Sequence, residues 1–153
     1  MLIGNAIVGQ SGGPTSAINA TLCGVIDACA KNERIQKLYG MQNGIEGFLK
    51  ENIIDLSYLF GDQNSLDILK TTPAAALGSC RRKLKTNEEY EQIFALFAKY
   101  NIRYFFYIGG NDSMDTVAKL SEYASHNSYD VRIIGIPKTI DNDLPITDHT
   151  PGF

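Results

Sequence analysis

The run Tyr104-Phe105-Phe106-Tyr107-Ile108 constrains this chain most. Five large apolar or aromatic residues in a row leave no polar face, which is the pattern of a strand in a parallel sheet covered on both sides. It ends abruptly in Gly109-Gly110-Asn111-Asp112-Ser113, a glycine turn that opens a helix carrying Met114, Val117, Ala118 and Ser121 on its expected inner face. The same order recurs upstream. Asn5 to Gly9 reads as a buried strand and Gln10-Ser11-Gly12-Gly13-Pro14-Thr15 as a glycine turn, with Ile18, Leu22, Val25, Ile26 and Cys29 on one helical face. Thr15 or Ser16 is the expected cap. It recurs a third time where the apolar run 131–136 delivers Pro137-Lys138-Thr139-Ile140-Asp141-Asn142-Asp143.

Alternating strands and helices predict an α/β fold, a parallel sheet with helices on both faces joined by right-handed crossovers. Residues 37–41 read as a further strand. Residues 44–50 and 53–69 carry mixed patterns. The most defined helix follows Thr86-Asn87-Glu88-Glu89, a capping-box pattern, with Tyr90, Ile93, Phe94, Phe97 and Ala98 on one side. With 153 residues, 44% hydrophobic and 20% charged, the chain fits one domain with a sizeable core.

Ligands of open α/β sheets bind beyond the carboxyl ends of the strands, which is where the two glycine turns and the acidic heptapeptide converge. Backbone N–H groups in a glycine turn approach a phosphate closely, and a helix N-terminus favours negative charge. A tight turn without a ligand has the same sequence, and neither G-x-x-x-x-G-K-[ST] nor G-x-G-x-x-G occurs. Asp141 and Asp143, two residues apart, point the same way if the loop is extended, and Lys138 adds a cation. A solvated turn with Asx hydrogen bonds is the competing reading. The cations Arg81, Arg82, Lys83 and Lys85 suit either a solvated face or a phosphate clamp. Asp112 reads as a helix N-cap.

A net charge of −3 argues against a general nucleic-acid surface, leaving small anions as candidate partners. The 3 cysteines and 2 histidines form no metal-ligand spacing. No apolar run reaches membrane-spanning length and no secretory signal opens the chain, so no membrane partner and a cytoplasmic location are expected.

Together, Gly9–Thr15, Leu77-Gly78-Ser79-Cys80-Arg81, Gly109–Ser113 and Pro137–Asp143 resemble the phosphofructokinase family. The resemblance implies a Rossmann-like N-terminal domain spanning 1–153 and transfer of a phosphoryl group to the 1-hydroxyl of fructose 6-phosphate, with magnesium as cofactor. It is closest to the branch that uses pyrophosphate. Asp112 stands where ATP-using relatives have a glycine that admits the α-phosphate, and Lys138 where many of them have another. Matching residue by residue, Asp141 corresponds to the catalytic base, assisted by Lys138 and Asp112. Thr139, Asp141 and Asp143 correspond to sugar and metal-region contacts, and Gly12, Gly13, Arg81 and Lys138 to the donor-phosphate cradle. Asn111 replaces a magnesium-facing aspartate, which weakens the metal site. The resemblance also implies that a second half, bearing the groups that hold the sugar 6-phosphate, lies outside these residues. The 153 residues alone are then expected to be inactive, and the full-length enzyme to be a homo-oligomer. An ATP-dependent phosphofructokinase, a non-catalytic phosphate-binding or regulatory module, and more distantly a nucleotide or lipid kinase with a related loop are the alternatives.

Overall fold

A computed structural model describes residues 2–143 and 145–150. Five strands, β1 (Gly4–Gln10), β2 (Ile35–Met41), β3 (Ile53–Asp55), β4 (Ile102–Gly109) and β5 (Arg132–Pro137), form one sheet in the order β3-β2-β1-β4-β5. All neighbours run parallel except β3, which pairs antiparallel with β2. The all-parallel expectation is corrected there. Only the short helix α2 (Gly44–Leu49) separates the two strands, too little for the crossover that a parallel pair needs.

Alternation along the strands sorts the core into two layers. Ile7, Phe105 and Tyr107 face α2, α4 (Asn87–Lys99) and α5 (Asn111–His126). Ala6, Val8 and Ile108 face α1 (Ile18–Ala30) and α3 (Gln63–Thr71). The aromatic run is therefore double-sided core, with Phe105 and Ile108 fully buried. In α4, Thr86 Oγ1 accepts the Glu89 N–H and Glu89 reaches back to the Thr86 N–H, the reciprocal cap that the sequence pattern requires.

Four local expectations are displaced. Helix α1 starts at Ile18 behind Ala17, with no side-chain cap from Thr15 or Ser16; the Thr15 carbonyl accepts the Ile18 N–H instead. Of the expected α5 face, Met114 and Val117 pack against β5 at Gly135, beside the buried Ser113, Thr116, Leu120 and Ala124, while Ala118 and Ser121 are exposed. Leu96 rather than Ala98 completes the buried stripe of α4. Strand β5 is not fully buried: it closes one edge of the sheet, with Ile134 40% exposed. Among the described residues no helix is long and apolar enough to cross a membrane. The aperiodic stretch 144–153 shows no helix or strand over 145–150, and its other residues, 144 and 151–153, lie outside the described set.

Candidate anion-binding site

Three parallel strands, β1, β4 and β5, end side by side, so the segments that follow them meet above one sheet edge. The loop 72–81 joins them from below. A cleft of about 510 Å³ opens there, walled by Ser11 to Thr15, Cys80 to Arg82, Gly110 to Ser113 with Thr116, and Lys138 to Asp141.

The first wall is stitched to the arginine loop by backbone geometry. Gly12 adopts φ +75°, a left-handed conformation that side-chain-bearing residues avoid. Its N–H then donates to the Cys80 carbonyl at 3.1 Å, Ser11 Oγ donates to the same carbonyl at 3.2 Å, and Ser79 Oγ donates to the Gly12 carbonyl. Arg81 follows directly and comes within 3.9 Å of where a Cβ on Gly13 would stand.

Beneath the stitch lies a buried amide pair that sequence reasoning left out. Gln10 Nε2 donates to Asn19 Oδ1 at 2.9 Å, Gln10 Oε1 accepts the Leu77 N–H at 2.9 Å, and Asn19 Nδ2 donates to the carbonyls of Thr72 and Ala74 at 2.7 and 2.8 Å. Asn19 Oδ1 also accepts the Ala76 N–H at 3.0 Å. Gln10 and Asn19 are 0% and 1% exposed, so this network fixes a loop without regular structure as firmly as a strand would. Gln10→Leu is expected to lower stability by about 1–3 kcal/mol, the scale of buried polar groups left without partners. A denaturant midpoint unchanged from that of the parent chain would show that the network holds nothing.

The second wall is the N-terminus of α5. Gly109 must lack a side chain, since a Cβ there would sit 2.2 Å from Ser113 Oγ, and that contact draws the first turn of α5 against the strand end. Gly110 is the cap residue, with no side-chain cap bond. Asp112 is thus not the N-cap: it lies in the first turn, where the helix dipole favours a carboxylate, and its exposed side chain pairs with Lys83 Nζ at 2.9 Å.

The third wall is the heptapeptide. Lys138, whose N–H donates to the Gly109 carbonyl at 2.8 Å, is only 5% exposed. Its Nζ crosses the cleft floor to donate to the Gly13 carbonyl. Burial first, and the Arg81 guanidinium second, push its pKa below the ordinary lysine value. Thr139 Oγ1 donates to Asp141 Oδ2 at 2.8 Å and accepts the Asp141 N–H at 3.2 Å, which fixes the carboxylate at the cleft wall. The loop is not extended. Asn142 takes φ +52°, so Asp143 parts from Asp141, leaves the cleft lining and accepts a hydrogen bond from Asn111 Nδ2 at 2.7 Å.

The four cations separate in the same way. Arg81 faces the cleft, and Arg82, also at its wall, pairs with Glu89, whose carboxyl it holds below the usual range. Lys83 binds Asp112, while Lys85 contributes its N–H to Glu89 at 2.7 Å. Thr15 lines the cleft with a buried hydroxyl that has no partner among the described residues, and Ser113 and Thr116 add two further hydroxyl groups. Helical spacing from Gly110 would have found Ser113 and Thr116. Nothing in sequence joins Lys83 to Asp112.

Arg81 and Lys138, two glycine turns and a helix N-terminus around one cavity make an anion site, and the hydroxyl-braced Asp141 at its wall is placed to take a proton. No cluster of three or more His, Cys, Asp or Glu residues suited to a metal ion occurs among the described residues.

The sequence profile of the family described as Phosphofructokinase matches residues 5–153. The chain is 49% identical to the pyrophosphate--fructose 6-phosphate 1-phosphotransferase of Halomonas elongata, over 97% of this chain and 36% of the relative. It is 44% identical to that of Rhodospirillum rubrum, over 100% of this chain and 37% of the relative. The crystal structure of pyrophosphate-dependent phosphofructokinase from Nitrosospira multiformis superimposes with a TM-score of 0.89 at 44% identity, covering 98% of this chain and 37% of that one. The chain therefore spans a little over a third of the length of these relatives.

Proposed function

Because the chain belongs to the phosphofructokinase family, we propose that it forms the phosphoryl-donor side of an enzyme that transfers a phosphoryl group from pyrophosphate to the 1-hydroxyl of fructose 6-phosphate. The observation that carries this reading is Lys138: a lysine 5% exposed, with the Arg81 guanidinium beside it, puts two cations where their mutual repulsion favours an anion between them. Pyrophosphate supplies that anion. The Gly12–Gly13 turn, with no side chain in the way, and the first turn of α5 cradle it, and Lys138 stabilises the phosphoryl group as it is transferred. Asp141, oriented by Thr139, accepts the proton of the attacking hydroxyl, and Thr139 and Asp143 stand on the sugar and metal side. Chemistry of this kind depends mostly on positioning and charge neutralisation, which is what a rigid cradle provides.

Magnesium fits this reading. Hard cations that accompany phosphates need only one or two protein carboxylates, and Asp143, beside the cleft, would supply one, with the Asn111 side-chain oxygen as a weaker neutral ligand. Asn111 is already tied to Asp143 through its Nδ2, so it orients that carboxylate as well. When bound, the ion neutralises phosphate charge. The same reading assigns the enzyme to glycolysis in the cytoplasm and makes it a homo-oligomer.

Asp112 supports pyrophosphate over ATP, since its side chain at the cleft wall occupies the place a longer nucleotide phosphate chain would take. The complete enzyme should therefore turn over fructose 6-phosphate with pyrophosphate at least about a hundredfold better, in kcat/KM, than with ATP. Equal rates with the two donors, measured with excess magnesium, would sink the assignment.

A further inference from the structure

A carboxylate that repels ATP also repels pyrophosphate. Asp112 lines the same cavity that must accept a tetra-anion, so a bare charge at this position opposes the favoured donor as well as the disfavoured one. We propose that Lys83 resolves this conflict by pairing with Asp112, so that the carboxylate acts as a steric block whose charge is neutralised. The inference rests on pyrophosphate being the donor.

The geometry separates Lys83 from the cations that meet the anion. Its Nζ lies 2.9 Å from Asp112 Oδ1, and Lys83 is absent from the residues that line the main cleft. The Asp112 side chain is 74% exposed and that of Lys83 56%, so the pair is solvated and contributes little to folding. Its effect is felt in the field at the mouth of the cleft. The loop bearing Lys83 is held in place, since Arg82 on one side and the Lys85 N–H on the other are both fastened to Glu89, itself part of the α4 cap. An ammonium thus arrives opposite the first turn of α5, where the anchoring of one loop sets the net charge of another wall. Lys83 is in this sense a positioning residue acting through Asp112.

The test is a double-substitution cycle read by calorimetric binding of magnesium pyrophosphate to the parent chain, to Lys83→Met, to Asp112→Asn and to the two combined. Lys83→Met should weaken binding roughly three- to tenfold when Asp112 is present, and less than about twofold when it is replaced by asparagine. The penalty should also shrink as salt is raised, which loss of a structural contact would not produce. Equal losses in both backgrounds would show that Lys83 meets the anion directly, and no loss in either would show that the pair is idle; each overturns the proposal. Absence of pyrophosphate binding by the parent chain would instead strike the donor assignment, and this inference with it. Both positions are on the surface, so thermal unfolding should move little in all three variants.

Discussion

Replacing Lys138 with methionine is expected to cut pyrophosphate-dependent turnover at least about a hundredfold while leaving the fold as stable as before, to within about 1 kcal/mol. Methionine keeps the length of the stem and removes the charge. Lys138 is buried, with the Gly13 carbonyl as its hydrogen-bond acceptor and Arg81 as a repulsive neighbour. Its removal relieves that cost and forfeits the interaction with the leaving phosphate, so activity and stability part company. The pH dependence has a definite sign. Because the folded-state pKa lies below the unfolded one, the unfolded chain holds the proton to higher pH, and stability rises as pH climbs between the two values. Pyrophosphate affinity moves the other way, falling as pH passes the lowered pKa and the ammonium is lost. Chemical denaturation and steady-state kinetics across pH on the parent protein and the variant check both halves, the pH dependence being confined to the parent. A stability loss above about 3 kcal/mol would recast Lys138 as a structural strut.

Asp141→Asn should lower kcat by about two to four decades with little change in the KM for fructose 6-phosphate, the range expected when a general base is lost but its shape is kept. The structure explains why the shape survives. The Thr139 hydroxyl that donates to Asp141 Oδ2 at 2.8 Å can donate as well to an amide oxygen, so orientation is conserved and only basicity is removed. Measured on the complete enzyme with saturating donor, near-parent turnover would move the base to another residue. A loss confined to KM would make Asp141 a sugar-binding group.

Much of this arrangement was legible in sequence, for physical reasons that differ from element to element. The aromatic run of β4 and the stripe of α1 announce themselves because burial acts on whole periodic faces. The cap at Thr86 is visible because both halves of its reciprocal hydrogen bonding lie within four residues. Gly12, Gly13, Arg81, Lys138, Thr139 and Asp141 line one cleft, whereas Asp143 stands beside it, turned aside by the left-handed Asn142. The direction of β3 was not legible, since three strand residues carry no trace of which way they pair. Nor were the contacts of Gln10 with Leu77 or of Lys83 with Asp112, which join residues far apart in sequence through side chains common on any surface.

The strand order carries a consequence for how the chain acquires this cleft. β1 lies at the middle of the sheet, and Ala6 pairs on one side with Leu38 but on the other with Tyr104. The second seam closes a long loop before it returns any contact energy, which makes it a slow step in folding. During synthesis the nascent chain can join β1 to β2 early, yet one flank of β1 stays unpaired until β4 has emerged. Throughout that interval Asn5 to Gln10 present a bare hydrogen-bonding edge, a template on which another strand can pair before β4 arrives.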